Sequence, residues 1–145
     1  MKKEETIRVV LLEPHQMART IEVKNTLEDL QALVKGDIEP FYPFAEEVCF
    51  ICNDEGKING MEPNRAIYDD EHNMIDVLFG PGFICGCGGE NFGSLSDEQI
   101  ERYTEMFKHP EYIFKAGGEI QAVPYTPHEA PAQETPTQEA AGEAR

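Results

Sequence analysis

Between residues 7 and 12 (IRVVLL) every position but Arg8 is apolar and half are β-branched, and Glu13-Pro14 closes the run, which predicts a strand. In residues 18–23 (ARTIEV), Arg19, Ile21 and Val23 alternate with Thr20 and Glu22, the period of a half-buried strand. The five residues between these runs, EPHQM, suit a hairpin connection. The period then lengthens. Over residues 26–36 (TLEDLQALVKG), Leu27, Leu30, Leu33 and Val34 fall on one helical face. Thr26 is placed to cap this helix, Glu28 and Asp29 sit in its positive first turn, and Gly36 is placed to stop it.

Residues 38–42 (IEPFY) read as a short strand that Pro40 confines to a sheet edge. Residues 48–52 (VCFIC) read as a stronger strand, followed by an Asn53-Asp54-Glu55-Gly56 turn. Residues 57–68 (KINGMEPNRAIY) lack a clear period and read as irregular or as a short helix. Two further strands, 74–79 (MIDVLF) and 83–85 (FIC), flank Gly80-Pro81-Gly82. A second helix follows over residues 97–108, with Ser96 as N-cap, Gln99 closing a capping box, Leu95 stapled onto Ile100, and Pro110 ending it.

The order β-β-α-β-β-β-β-α predicts an α+β domain with a mostly antiparallel sheet of about five to six strands and two helices. That domain is expected to span residues 1–116. From Gly117 to Arg145 the chain carries four prolines and, after Tyr125, no aromatic or large aliphatic residue. Such a segment cannot bury enough apolar surface to offset its ordering entropy, and it reads as a disordered acidic tail.

Charge narrows the partners. The chain has 28 acids against 12 bases, a net charge of −16. Self-repulsion on this scale argues against direct contact with nucleic acid or an anionic membrane. The same acidity suits a decoy for a nucleic-acid-binding protein. No apolar run reaches membrane-spanning length and none is laid out as a signal peptide, so the expected location is the cytoplasm, with reduced thiols.

Several stretches taken together, namely IRVVLLEP, TLEDLQALV, IEPFYPF, NDEGKING, PNRAI, MIDVLFGPGFICG and SLSDEQIERY, resemble an uncharacterised domain family, domain of unknown function 3846. The family is carried by phages and conjugative elements of Gram-positive bacteria. The resemblance runs from Ile7 to Phe114. It implies a small accessory protein of a mobile element, in the company of antirestriction and other counter-defence genes inside the host cell. It transfers no catalytic residue.

Four features are candidates for chemistry. Cys49 and Cys52 form C-x-x-C, and Cys85 and Cys87 form C-x-C; four thiolates can hold one zinc. Zinc is disfavoured, because an offset of three inside a strand points Cys49 and Cys52 to opposite faces, and free cysteine is a common core residue. Residues 80–99 hold six of the twelve glycines, yet lack a phosphate-loop signature and any Lys or Arg. Residues 79–96 carry a single acid, Glu90, and supply glycine backbone beside aromatic rings, so Phe83, Gly86, Gly88, Gly89 and Phe92 are candidates to close over a planar or anionic ligand. Asn64 and Arg65 are candidates to clamp its anionic group; the alternative fate of Arg65 is an ion pair with Asp69, Asp70 or Asp76. The four histidines are scattered, and no nucleophile–base pairing or metalloprotease motif occurs, so the expectation is a protein that is not an enzyme.

Three functional readings follow. The first is a non-enzymatic, stoichiometric binding protein that sequesters a small nucleotide-like ligand. The second is an acidic nucleic-acid mimic that occupies a host protein. The third is a zinc-stabilised structural module. All three leave self-association into a homo-oligomer open.

Overall fold

The computed structural model describes residues 5–56, 59–88 and 91–127. The fold is α+β with mostly antiparallel pairing: β1 (Thr6–Leu12), β2 (Arg19–Lys24), α1 (Leu27–Val34), β3 (Ile38–Phe41), β4 (Val48–Asn53), β5 (Pro63–Tyr68), β6 (Met74–Phe79), β7 (Gly82–Gly86), α2 (Asp97–Met106), β8 (Glu111–Ala116) and β9 (Glu119–Pro124). Five strands form one sheet in the order β2-β1-β7-β4-β3, while β5-β6 and β8-β9 are separate two-stranded ribbons. Pro40 lies on the edge strand β3, where its missing N–H costs no ladder bond.

The central strands are apolar on both faces, and alternation divides their side chains between two cores. Ile7, Val9 and Leu11 of β1, Cys49 and Ile51 of β4, and Phe83 and Cys85 of β7 pack against Leu30 and Val34 of α1. Their neighbours Val10, Leu12, Val48, Phe50 and Ile84 pack on the opposite face with Ile100, Tyr103 and Phe107 of the α2 region and with Ile67 and Leu78 of β5-β6. The result is three layers, with α1 on one side of the sheet and α2 and the β5-β6 ribbon on the other.

The two helices start as their sequences dictate. The Thr26 hydroxyl accepts from the Asp29 N–H, and Ser96 and Gln99 form a reciprocal capping box. Leu95 and Ile100 are buried in the same core, as a staple requires. Ser96→Ala is therefore expected to lower stability by about 1 kcal/mol in chemical denaturation, through loss of the acceptor for a first-turn amide. An unchanged midpoint would contradict the cap.

Three expectations need correction. The left-handed residue ending α1 is Lys35 (φ 64°), one position before Gly36. Residues 63–68 form strand β5, where irregular chain or a helix was expected; the inward side chains there include polar Asn64 and Arg65, which conceal the strand pattern. The domain boundary at residue 117 also fails. Gly117 and Gly118, both at positive φ, turn a hairpin, and the supposed start of the tail is strand β9, paired in register from Ala116↔Glu119 to Glu111↔Pro124. Tyr125 stacks on Tyr112 with ring centroids 4.1 Å apart, and its hydroxyl is hydrogen-bonded to His15 Nδ1. Residues 128–145 of the expected tail lie outside the described residues.

Candidate functional site

The sequence candidates do not converge. Phe83 is fully buried in the core beneath α1. Phe92 packs at the rim of that core, and its carbonyl accepts a hydrogen bond from Asn25 Nδ2. Gly86 forms a two-way backbone bridge with Gly93, so tight that an added Cβ would lie 2.9 Å from the Ser94 carbonyl oxygen. A Cβ on Gly88 would lie 2.6 Å from Glu47 Oε1. Gly89 lies outside the described residues. Asn64 and Arg65 belong to β5, across the sheet from Phe83. Among the described residues, the central sheet thus separates Asn64 and Arg65 from Phe83. Close approach of backbone and side chains accounts for Gly86 and Gly88.

Asn64 and Arg65 form a buried clamp. Asn64 Nδ2 donates to the Leu12 and Gly80 carbonyls, 3.0 Å each, tying β5 to the end of β1 and the β6–β7 turn. Arg65 is 1 % exposed. Its Nε donates to the His109 carbonyl at 2.9 Å, Nη2 to the Gln16 carbonyl at 2.6 Å, and Nη1 to Asn64 Oδ1. The guanidinium thus joins β5 to the β1–β2 turn and to the segment leaving α2. The expected partners are otherwise engaged: Asp69 Oδ1 accepts from the Glu71 and Asn73 amides, Asp70 from the Ala45 amide, and Asp76 from the Val77 amide.

No carboxylate among the described residues is hydrogen-bonded to Arg65. Burial pulls its pKa down to about 10, with Glu111 acting at longer range in the opposite direction. The group still carries its charge at neutral pH, and that charge is desolvated without a bonded counter-ion.

Arg65 lines a cavity of about 310 Å³ between β5, the end of α2 and the β8-β9 ribbon. Tyr68, His72, Glu105, Lys108, His109 and Glu111 also face it. The Tyr68 and His72 rings stack at 5.0 Å and 11°. Glu111 Oε1 accepts from the Ala66 N–H at 2.8 Å, and the Tyr68 hydroxyl points at the same carboxylate. Burial and that carboxylate push the Tyr68 phenol up to about 12, so it remains a donor at neutral pH. His109 Nδ1 is buried with no hydrogen-bond partner among the described residues. The cavity thus combines a buried cation, an exposed cation at Lys108, a flat aromatic platform and an unused ring nitrogen.

A second cavity, of about 350 Å³, lies beside the β1–β2 turn and is lined by Glu13, His15, Lys35, Met61, Glu62 and Gly80 among others. His15 is already held by Glu62 and Tyr125 there, and two carboxylates face the space against one lysine. The Arg65 cavity also has two carboxylates, Glu105 and Glu111, but sets two cations, Arg65 and Lys108, against them, so it repels an anion less.

The cysteines divide as strand geometry requires. Cys49 and Cys85 face each other across β4 and β7, Sγ to Sγ 3.7 Å, beneath α1. Cys52 lies on the other face, its thiol directed at the Glu39 carbonyl. Among the described residues no group of three or more His, Cys, Asp or Glu is arranged to hold a metal ion.

No curated protein and no solved structure matches the chain. A family model does match, over residues 7–108, which takes in both cores, the Asn64–Arg65 clamp and α2, and stops short of the β8-β9 ribbon. The chain belongs to the family described as Domain of unknown function (DUF3846).

Proposed function

We propose that the protein is a non-enzymatic, stoichiometric binding protein that sequesters a small nucleotide-type anion in the Arg65 cavity. In this reading it serves a phage or other mobile element in counter-defence within the host cytoplasm, the setting that the family resemblance implies. The observation that carries the binding role is the buried Arg65 guanidinium, which lines a cavity and has no bonded carboxylate among the described residues. An anionic group there repays part of the cation's desolvation cost. The Tyr68–His72 stack offers a face for a planar base, and Lys108 adds charge at the mouth. The volume lies at the small end for ligand pockets, which favours a mononucleotide or cyclic nucleotide over a longer chain.

The test is thermal unfolding against a panel of mononucleotides, cyclic nucleotides and ADP-ribose-type nucleotides. A true ligand at about 100 times its Kd stabilises the native state by roughly 2.7 kcal/mol, a shift of several degrees. Lys108→Ala, at an exposed position, is expected to weaken that ligand on the order of tenfold with the unliganded melting temperature unchanged. A panel without any stabilising nucleotide would contradict the proposal.

One observation favours the acidic-mimic reading instead. Glu98, Glu101 and Glu105 of α2 are all exposed in a chain of net charge −16. That reading predicts a salt-sensitive protein partner lost from the Glu98→Gln, Glu101→Gln, Glu105→Gln triple variant and indifferent to Lys108→Ala.

A further inference from the structure

Strand alternation places three of the four cysteines together. Cys49 is directly opposite Cys85 in the β4–β7 pairing. The Cys87 N–H donates to the Glu47 carbonyl, which continues the same pairing two residues on and puts Cys87 diagonal to Cys49 on the α1 face. Cys49 and Cys85 are fully buried, whereas Cys87 is partly exposed. We propose that these residues form a thiol relay, in which Cys87 admits oxidising equivalents from solvent and Cys49 passes them to a buried Cys49–Cys85 disulfide.

The oxidant is a low-molecular-weight disulfide of the glutathione class. The Cys87 thiolate attacks it, forms a mixed disulfide and releases one small thiol. Cys49 then attacks the Cys87 sulfur, and the second small thiol leaves with the proton from Cys49. Cys85 attacks Cys49 in turn, which frees Cys87 and leaves its own proton there. The balance is two protein thiols and one small disulfide giving one protein disulfide and two small thiols. Directly paired residues on neighbouring strands bring the two Cα atoms within the range a disulfide spans. The finished bond ties β4 to β7 at the centre of the five-stranded sheet.

Entry at Cys87 and attack by Cys49 are both slow at neutral pH, since the hydrogen bond to Cys85 and burial push the Cys49 thiol well up. Burial, the neighbouring Cys49 and the Glu47 carboxylate push the Cys87 thiol up to about 11, so little thiolate is present. Below that pKa the thiolate fraction, and with it the entry rate, rises about tenfold per pH unit.

The experiment incubates the full chain with oxidised glutathione at pH 7 and pH 9 and follows it by intact mass and peptide mapping. The expected product has lost two hydrogen atoms, links Cys49 to Cys85, and forms faster at pH 9. Cys87→Ala, on the partly exposed thiol, should fold normally and form that bond at least about tenfold more slowly, because its entry point is gone. Cys49→Ala, if it folds, should stop at a glutathione adduct on Cys87. A wild-type chain that keeps all four thiols, a stable Cys87 adduct in the wild type, a disulfide that includes Cys52, or an undiminished rate in Cys87→Ala would overturn the relay.

Discussion

Arg65→Ala is expected to destabilise the protein by about 3–5 kcal/mol in denaturant unfolding. The substitution leaves the His109 and Gln16 carbonyls and Asn64 Oδ1 without their donor, and it empties the volume of the largest fully buried side chain. Relief of the desolvated charge offsets part of this, which keeps the loss near the range for large core deletions. Arg65→Lys should recover little of the loss, because a point-charge ammonium cannot reach in three directions as the planar fork does. From sequence alone, Arg65 reads as an anion clamp or as the ion-pair partner of a nearby Asp; its burial against backbone carbonyls gives it a structural role as well. A loss below about 1 kcal/mol for Arg65→Ala would show that the clamp contributes nothing net.

Phe83→Ala is expected to cost about 3–5 kcal/mol as well, for a different reason. Phe83 has no exposed surface and packs in the core beneath α1, with Leu30 and Val34 of the helix and Cys49 and Ile51 of β4. Truncation leaves a cavity that paired strands cannot collapse. Because the central sheet separates Phe83 from the Arg65 cavity, the native fraction should bind nucleotide with unchanged affinity. The ratio of Kd values between variant and wild type, measured well below the melting temperature, checks this. Preserved stability with lost binding would return Phe83 to the ligand site and contradict the separation.

The parts of the fold that could be read in the sequence are those whose burial follows a simple period. β1, β4 and β7 announce themselves as β-branched and apolar runs, and both helices through their caps and apolar faces. β5 was hidden because two inward positions are Asn64 and Arg65, polar residues that pattern reading assigns to the surface. Only the tertiary structure supplies the carbonyls that satisfy them. The β8-β9 ribbon was hidden for the opposite reason. Tyr112, Phe114, Ile120 and Val123 are each about half exposed, and the sequence after Gly118 is dominated by Pro, Glu, Gln and Ala. The Gly117-Gly118 pair between the EYIFKA and EIQAVP runs is the hairpin signal that reveals it.

The candidate site was legible only in part. Arg65 stood out because bases are rare in this acidic chain. Tyr68, His72, Lys108, His109 and Glu111 had no joint signal, since they come from β5, the loop after it, the segment after α2 and the start of β8. The contact of β8 with β5, marked by Glu111 on the Ala66 amide, is what assembles them.

The central claim is that the Arg65 cavity takes a small nucleotide-type anion, and backbone and side-chain NMR of the full chain titrated with adenosine monophosphate tests it most directly. The account predicts saturable shift changes at Tyr68, His72, Lys108, His109 and Glu111, with Phe83, Gly88 and Phe92 unmoved. Changes confined to the 83–92 segment, or none that saturate by about 10 mM, a concentration well above the Kd of an ordinary small-ligand site, would contradict it.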